Sequence, residues 1–313
     1  MQERNVTIQS GDAVLAGTYV IPDGDGPFPA ALIIAGSGPL DRNGNHGKLP
    51  LSVSRLLSEI VVPRGWATLR FDKRGVGEST GDYLSTGLQE EFDDARSALA
   101  WLREQPEVST VVPVGHSVGA LAASEMAAWD DTAGAVLLAY TVQNGQATLE
   151  WQAREIAQTV PGWIKGLLGV FGSSIEKQQA KAIRKLRSTT GDVERIGGQR
   201  INAKWMREFL DYDPEPALRD STVPLLALTG SKDIQVDPDD LAAVDAVAGD
   251  RATTVLAPDV DHILRHESAE LSNPKRYKSQ AAKPIDPSVS AALTSWLDDL
   301  VDSQPENRAT RNT

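Results

Sequence analysis

The 313-residue sequence contains no cysteine and only four histidines. Without cysteine there can be no disulfide scaffold, no thiolate-bound zinc, no iron–sulfur cluster and no cysteine nucleophile. Basic residues are also in deficit, since 31 Lys and Arg stand against 43 Asp and Glu and give a net charge of -12. A nucleic-acid partner needs a basic stripe, so we expect no nucleic-acid binding.

Long apolar runs are lacking as well. The runs at 30–35 and 135–139 are far shorter than the ~18 residues that a spanning helix needs, so we expect no stable membrane insertion. Residues 1–5 lack the basic and apolar regions of a secretory signal. We therefore predict a cytoplasmic protein, and the sequence leaves open whether it forms a homo-oligomer.

Short apolar runs alternate along the chain with longer helical patterns. This alternation predicts an α/β fold with a mostly parallel eight-stranded sheet and helices on both faces. The run at 14–21 precedes any helix and is predicted to be antiparallel. The predicted strands are 6–9, 14–21, 30–35, 67–71, 111–114, 135–140, 225–229 and 253–256.

One stretch interrupts the alternation. Residues 142–221 show helical patterns without a convincing strand, which predicts an all-helical insertion into a core made of 1–141 and 222–303. Residues 304–313 are polar and predict a flexible tail. The insertion contains three of the seven tryptophans. We take Trp151, Trp163 and Trp205 as candidate walls of a substrate pocket.

The most informative motif is Gly115-His116-Ser117-Val118-Gly119. It has the pattern G-x-S-x-G and lies between an apolar strand and a helical run, the context in which such a serine is a nucleophile. The turn is strained, and glycine at Gly115 and Gly119 removes collisions of side chains with the backbone. Ser117 then lies at a helix N-terminus, where developing negative charge is favoured.

A serine hydroxyl needs a base to remove its proton and an acid to orient that base. Among the histidines that follow the motif, His262 lies nearer the last strand and is preferred to His266. Asp233 follows the strand at 225–229 and is the predicted acid, with Asp259 and Asp261 as alternatives. Asp237 is interpreted as a helix cap.

An oxyanion hole requires two backbone N–H groups that point at the developing charge. The N–H of Val118 directly follows the nucleophile. The loop after the strand at 30–35 supplies the second candidate, the N–H of Ser37. No residue pattern calls for a metal ion or a cofactor.

Taken together, these motifs resemble the α/β-hydrolase family, over nearly the whole chain. The further matching segments are Phe71-Asp72-Lys73-Arg74-Gly75-Val76-Gly77-Glu78-Ser79, Gly36-Ser37-Gly38-Pro39-Leu40-Asp41-Arg42 and Phe209-Leu210-Asp211-Tyr212-Asp213-Pro214. The last two resemble a bacterial carboxylesterase branch that is grouped with serine aminopeptidase-like hydrolases. The resemblance implies a helical cap at the insertion and hydrolysis of a small-molecule ester.

The motifs therefore predict a serine carboxylesterase that acts on small to medium esters through an acyl-enzyme intermediate. A peptidase or acyltransferase with the same triad is an alternative, because the same three groups can serve another leaving group or acceptor. A non-catalytic ligand-binding protein is a further alternative, although the nucleophile, acid and base occur in the chain order of this scaffold.

Overall fold

An eight-stranded sheet forms the centre of the computed structural model, which describes residues 1–47, 49–159 and 174–303. The strand order is β1-β2-β4-β3-β5-β6-β9-β10, and β2 runs antiparallel to both of its neighbours while the other pairs are parallel. All eight predicted strands form, and the antiparallel course of 14–21 is confirmed. The strands are β1 Gln2–Ser10, β2 Ala13–Ile21, β3 Phe28–Ile34, β4 Ala67–Phe71, β5 Val108–His116, β6 Ala135–Leu138, β9 Leu225–Gly230 and β10 Ala252–Ala257.

Both faces of the sheet are buried. Side chains alternate along a strand, so Leu32 and Ile34 of β3 belong to the apolar core on one face, and Ala31 and Ile33 to the core on the other. This double burial explains why the central strands read as continuous apolar runs in the sequence.

Helices cover the two faces as the sequence predicts. The helices are α1 Val53–Val61, α2 Leu88–Arg103, α3 Val118–Trp129, α4 Gly145–Thr159, α5 Ile175–Arg187, α6 Ala203–Asp211, α7 Glu215–Asp220, α8 Asp240–Ala248, α9 Tyr277–Gln280 and α10 Pro287–Ser303. Helices α1 and α10 pack on one face, and α2, α3, α7 and α8 pack on the other. No helix within the described ranges is long and apolar enough to cross a membrane. The predicted tail at 304–313 lies outside the described residues.

The segment between β6 and β9 is not made of helices alone, which corrects the prediction for 142–221. Strands β7 (Val193–Ile196) and β8 (Gln199–Asn202) form an antiparallel hairpin. Gly197 and Gly198 both have positive φ, as a tight two-residue hairpin turn requires. In addition, α7 lies inside the predicted insertion but packs against α3 of the core, with Leu218 fully buried.

Pro113 lies within β5, the strand that leads to the motif, where its missing N–H would weaken a central ladder. On one side β5 pairs with β3 through Leu32 and Pro113. On the other side the pairing with β6 begins only at Val114. The proline therefore precedes the β5–β6 ladder and interrupts none of its residue pairs.

The cap predicted at Asp237 differs slightly in the structure. Helix α8 begins at Asp240, and the Asp237 carboxylate accepts the N–H of Asp239 at 3.0 Å in the preceding turn. Gly249 follows the last residue of the helix with a φ of 58° and a ψ of -140°, a backbone conformation that favours glycine.

Candidate active site

Ser117 occupies a strained turn between β5 and α3. Its φ of 55° and ψ of -123° lie in a region that residues other than glycine rarely adopt. Ser117 is partly exposed, whereas the strand and the helix on either side of it are almost wholly buried. The surrounding packing holds the turn, so the hydroxyl stays at the carboxyl edge of the sheet.

The two glycines of the motif are required because a side chain at either position would collide with the backbone, as the sequence predicts. A Cβ at Gly115 would lie 2.1 Å from the carbonyl oxygen of Gly119. A Cβ at Gly119 would lie 2.3 Å from the carbonyl oxygen of Ile34 in β3. Real Cβ atoms do not approach backbone oxygens so closely, so any other residue would push the helix away from the sheet.

His262 and Asp233 are in direct contact. His262 Nδ1 lies 2.8 Å from Asp233 Oδ2, and both side chains are buried. The other carboxylate oxygen of Asp233 accepts the backbone N–H groups of Gln235 at 2.7 Å and Val236 at 3.0 Å. With an ionised Asp233, Nδ1 of His262 donates its hydrogen, which leaves Nε2 free to accept one.

The loops that carry these two residues are held together by the backbone. The N–H of Lys232 donates to the carbonyl oxygen of Val260 at 3.0 Å, and the N–H of Ser231 donates to that of Ala257 at 2.8 Å. A Cβ at Gly230 would lie only 2.1 Å from the oxygen of Val260. Glycine at this position therefore permits the contact between the two loops.

Ser117 and His262 line the same cavity, of about 380 Å³. No hydrogen bond joins their side chains in the part of the chain that the structure describes. Hydrogen bonds between catalytic groups are often long in the absence of substrate and shorten in the complex. The structure thus brings Ser117, His262 and Asp233 together, without a hydrogen bond between the side chains of Ser117 and His262.

The alternative residues lie elsewhere or are otherwise engaged. His266 is exposed, and its Nδ1 is 3.7 Å from Asp286. Asp259 is exposed and pairs with Lys232 at 2.8 Å. Asp261 is fully buried and accepts the backbone N–H of Arg265, and burial raises its pKa to about 6.

The two predicted oxyanion donors lie beside Ser117. Ser37 and Val118 both line a second cavity, of about 560 Å³, that also includes Ser117. Within the described residues, neither backbone N–H has a hydrogen-bond acceptor. Gly36 brings its loop close to the serine, because a Cβ there would lie 3.2 Å from Ser117 Cβ. The N–H groups are therefore available to a ligand.

The three tryptophans differ in position. Trp205 is buried, lines the 560 Å³ cavity and stacks on Phe209 with ring centroids 5.0 Å apart. Trp151 is partly buried and lines neither of the two cavities. Trp163 lies outside the described residues. Of the two predicted pocket walls that the structure describes, Trp205 lines a cavity together with Ser117 and Trp151 does not.

Three side chains near the serine were not identified from the sequence as neighbours of the site. Gln152 of α4 donates from Nε2 to the carbonyl oxygen of Gln235 at 2.6 Å, and both residues line both cavities. His116 was noted only as part of the motif. No local pattern distinguishes the two glutamines, because their contact joins residues far apart in the chain.

A metal site was not predicted. Across the ranges 1–47, 49–159 and 174–303, no three histidine, aspartate or glutamate side chains converge as ligands.

Comparison with known proteins supports this reading of the fold. Esterase EstD of Thermotoga maritima is 25% identical over 298 residues, which cover 95% of this chain and 67% of that protein. Among solved structures, Est1E of Butyrivibrio proteoclasticus bound to ferulic acid has a TM-score of 0.64 at 17% identity, covering 95% of this chain and all of that one. The Pyrococcus furiosus esterase Pf2001 has a TM-score of 0.59 at 15% identity, covering 95% of this chain and 92% of that one.

A family profile gives a more direct assignment. The profile described as "Serine aminopeptidase, S33" matches residues 54–269, a span that includes Ser117, Asp233 and His262. The match covers well over half of the sequence. The chain therefore belongs to the serine aminopeptidase-like family of α/β-hydrolases.

Proposed function

We propose that this chain is a serine carboxylesterase in which Ser117, His262 and Asp233 form the catalytic triad. The observation that carries the proposal is the His262–Asp233 contact of 2.8 Å on a cavity that Ser117 also lines. Ester hydrolysis fits the family and the esterase that is 25% identical to the chain. The substrate is a small-molecule carboxylic ester, and no cofactor takes part in the proposed mechanism.

In the first half-reaction, Ser117 Oγ attacks the carbonyl carbon while His262 Nε2 takes the hydroxyl proton. The carbonyl oxygen gains the negative charge and is stabilised by the N–H groups of Ser37 and Val118. Collapse of the tetrahedral intermediate breaks the bond to the alcohol oxygen. His262 gives its proton to that oxygen, and the alcohol leaves an acyl-Ser117 ester.

In the second half-reaction, water attacks the acyl carbon as His262 takes one of its protons. The intermediate collapses, the acid is released, and the proton returns to Ser117. Asp233 keeps the proton of His262 on Nδ1 and stabilises the imidazolium that forms twice in the cycle. Its two backbone donors, Gln235 and Val236, hold the carboxylate in this orientation.

In this proposal, the described part of the insertion that precedes α7 serves as a cap over the core. Asn202 Nδ2 donates to the carbonyl oxygens of Tyr83 at 2.7 Å and Thr86 at 2.6 Å, and Lys204 pairs with Glu90 at 2.7 Å. These contacts hold the insertion beside the site. The side chains of the insertion then limit the size of the substrate. Cytoplasmic location remains a prediction from the sequence, which leaves the oligomeric state open.

Labelling with a fluorophosphonate tests the nucleophile. We expect the probe to modify Ser117, as mapped by peptide mass spectrometry, and Ser117→Ala to lower turnover of a p-nitrophenyl ester by about 10⁶-fold. An unmodified Ser117 would favour a binding protein and contradict the triad. An aminoacyl-anilide assayed in parallel separates the functions, because faster cleavage of the anilide would indicate a peptidase.

A further inference from the structure

Two cavities meet at Ser117, and four residues line both of them: Ser37, Ser117, Gln152 and Gln235. The larger cavity, of about 560 Å³, extends between the core and the insertion. The smaller one, of about 380 Å³, extends toward His262 and Tyr277. Each is within the size range of small-molecule sites, so an ester bound at Ser117 can place one part in each cavity.

The bridge between Gln152 and Gln235 lies where the cavities adjoin. Gln152 comes from α4 of the insertion and donates to the backbone oxygen of Gln235 at 2.6 Å. Gln235 is held in turn, because its N–H donates to Asp233 at 2.7 Å and its side chain donates to the Tyr277 hydroxyl at 3.2 Å. The Gln152–Gln235 bridge is therefore anchored on the core side by the same carboxylate that orients His262.

The chemistry of the proposed function assigns the cavities. His262 must protonate the departing alcohol oxygen, so the alcohol has to lie on the side of His262. His262 lines only the smaller cavity, whereas Val118, one of the proposed oxyanion donors, lines only the larger one. With the carbonyl oxygen held between Ser37 and Val118, the acyl chain extends into the larger cavity.

The walls of the larger cavity suit an apolar group. Leu121 of α3, Leu149 of α4, and Trp205, Met206 and Phe209 of α6 line it, and Arg200 is the charged residue among its described walls. Burial of apolar surface against such walls stabilises a bound acyl chain. The smaller cavity contains three histidines, His46, His116 and His262, next to its apolar side chains.

We infer that the Gln152–Gln235 bridge divides one cleft into an acyl pocket and an alcohol pocket, and that the enzyme prefers esters of a bulky apolar acid with a small alcohol. Gln152 is thus a specificity-determining residue. The inference rests on the proposed roles of Ser117 and His262. It adds the orientation of the substrate and the residue that enforces it.

A pair of isomeric esters tests the orientation directly. Methyl octanoate and heptyl acetate have the same composition and differ only in which side of the ester bears the long chain. We expect kcat/KM of the wild-type enzyme, measured by acid release in a pH-stat, to be about tenfold higher for methyl octanoate. Equal values, or a preference for heptyl acetate, would overturn the assignment of the pockets.

The variant Gln152→Ala tests whether the Gln152–Gln235 bridge separates the two pockets. Loss of the bridge lets the heptyl chain reach the larger cavity, so kcat/KM for heptyl acetate should rise and the preference should fall at least threefold. Gln146→Ala is the matched control, because Gln146 lies on the same helix, is partly exposed and lines neither cavity. An unchanged preference in Gln152→Ala would overturn the role of the bridge, and the wild-type comparison needs no variant to fold.

Failure of this inference can be separated from failure of the proposed function. If fluorophosphonate labels Ser117 but neither isomer is hydrolysed, the proposed substrate class is wrong while the nucleophile stands. If Ser117→Ala hydrolyses both isomers as fast as the wild type, the proposed function itself fails.

Discussion

His116 Nε2 donates a hydrogen bond of 2.8 Å to the backbone carbonyl oxygen of His262, and the two imidazole rings lie 5.0 Å apart. The side chain next to the proposed nucleophile thereby holds the loop of the proposed base. Because the carbonyl can only accept, Nε2 of His116 carries the hydrogen. The turn at Ser117 and the loop at His262 are thus fixed relative to each other by a neutral residue.

Replacing His116 should slow the chemical step. In His116→Phe the carbonyl of His262 loses its donor, and we expect kcat for a p-nitrophenyl ester to fall about tenfold with little change in KM. His116→Gln keeps an N–H on a side chain of similar reach and should lose less. His266→Gln, at an exposed histidine, serves as the control. Equal kcat in wild type and His116→Phe would argue against a positioning role.

Burial of His116 predicts how stability depends on pH. Desolvation, with a smaller effect of nearby His262, lowers the pKa of His116 to about 3, against about 6.5 in an unfolded chain. Between these values the unfolded chain binds a proton that the native protein does not. The free energy of unfolding should therefore be unaffected by this group above pH 6.5 and decrease as the pH falls toward 3.

Urea denaturation at pH 7.5, 6 and 5 checks this dependence. Carboxylates contribute equally to both proteins, so the relevant quantity is the difference between wild type and His116→Gln. We expect the wild type to lose stability relative to the variant by up to about 1.4 kcal/mol per pH unit below pH 6.5. Parallel pH curves would show that His116 is not held neutral by the fold.

Asp233 should matter for turnover far more than for binding. In Asp233→Asn, the backbone N–H groups of Gln235 and Val236 hold the amide oxygen on their side. The amide NH2 then faces Nδ1 of His262 and donates to it, so the imidazole adopts the wrong tautomer. We expect kcat to fall about 10⁴-fold at nearly constant KM. Asp259→Asn is the matched control at an exposed carboxylate near the same loops and should keep kcat within about twofold. A strong loss in the control would point to Asp259 as the acid.

The ion pair between Arg42 and Asp72 should contribute mainly to stability. Asp72 accepts the guanidinium of Arg42 at 2.6 Å and the backbone N–H groups of Arg42 at 2.7 Å and Glu78 at 3.0 Å. Burial alone would raise the pKa of Asp72, but these hydrogen bonds outweigh it and hold the pKa below its usual value. Removing one partner of a buried pair leaves the other charge uncompensated.

We therefore expect Asp72→Ala to lower the free energy of unfolding by about 3 kcal/mol at pH 7. Glu78 contacts the same guanidinium from the solvent side, with 75% of its side chain exposed. Glu78→Ala should cost less than about 1 kcal/mol, because exposed ion pairs contribute little. Equal losses in the two variants, measured by urea denaturation, would contradict the assignment.

Those parts of the molecule that follow local patterns could be predicted from the sequence. Strands buried on both faces read as apolar runs, and the apolar stripe of α2, from Leu88 to Leu102, marks its buried face. The chain order, together with the position of each residue after a predicted strand, selected Ser117, Asp233 and His262, which the fold brings together. Each follows a strand, and the carboxyl ends of parallel strands share one edge.

Features that depend on distant contacts could not be predicted. The strands of the β7–β8 hairpin are four residues long and mostly polar, so only Gly197 and Gly198 signal them. The bridge from Gln152 to Gln235 spans 83 positions in the chain. The cap of α8 differs from the prediction, because Asp237 accepts the N–H of Asp239 in a separate turn before the helix begins.

The close fit of Gly119 against β3 also bears on how this enzyme can diverge. Because the backbone beneath Ser117 has no room for even one methyl group at Gly119, new variants gain little by altering it. Helix α6 instead lines the larger cavity with the side chains of Trp205, Met206 and Phe209. Directed evolution toward other acids should therefore accumulate its changes in these α6 side chains and leave the turn at Ser117 intact.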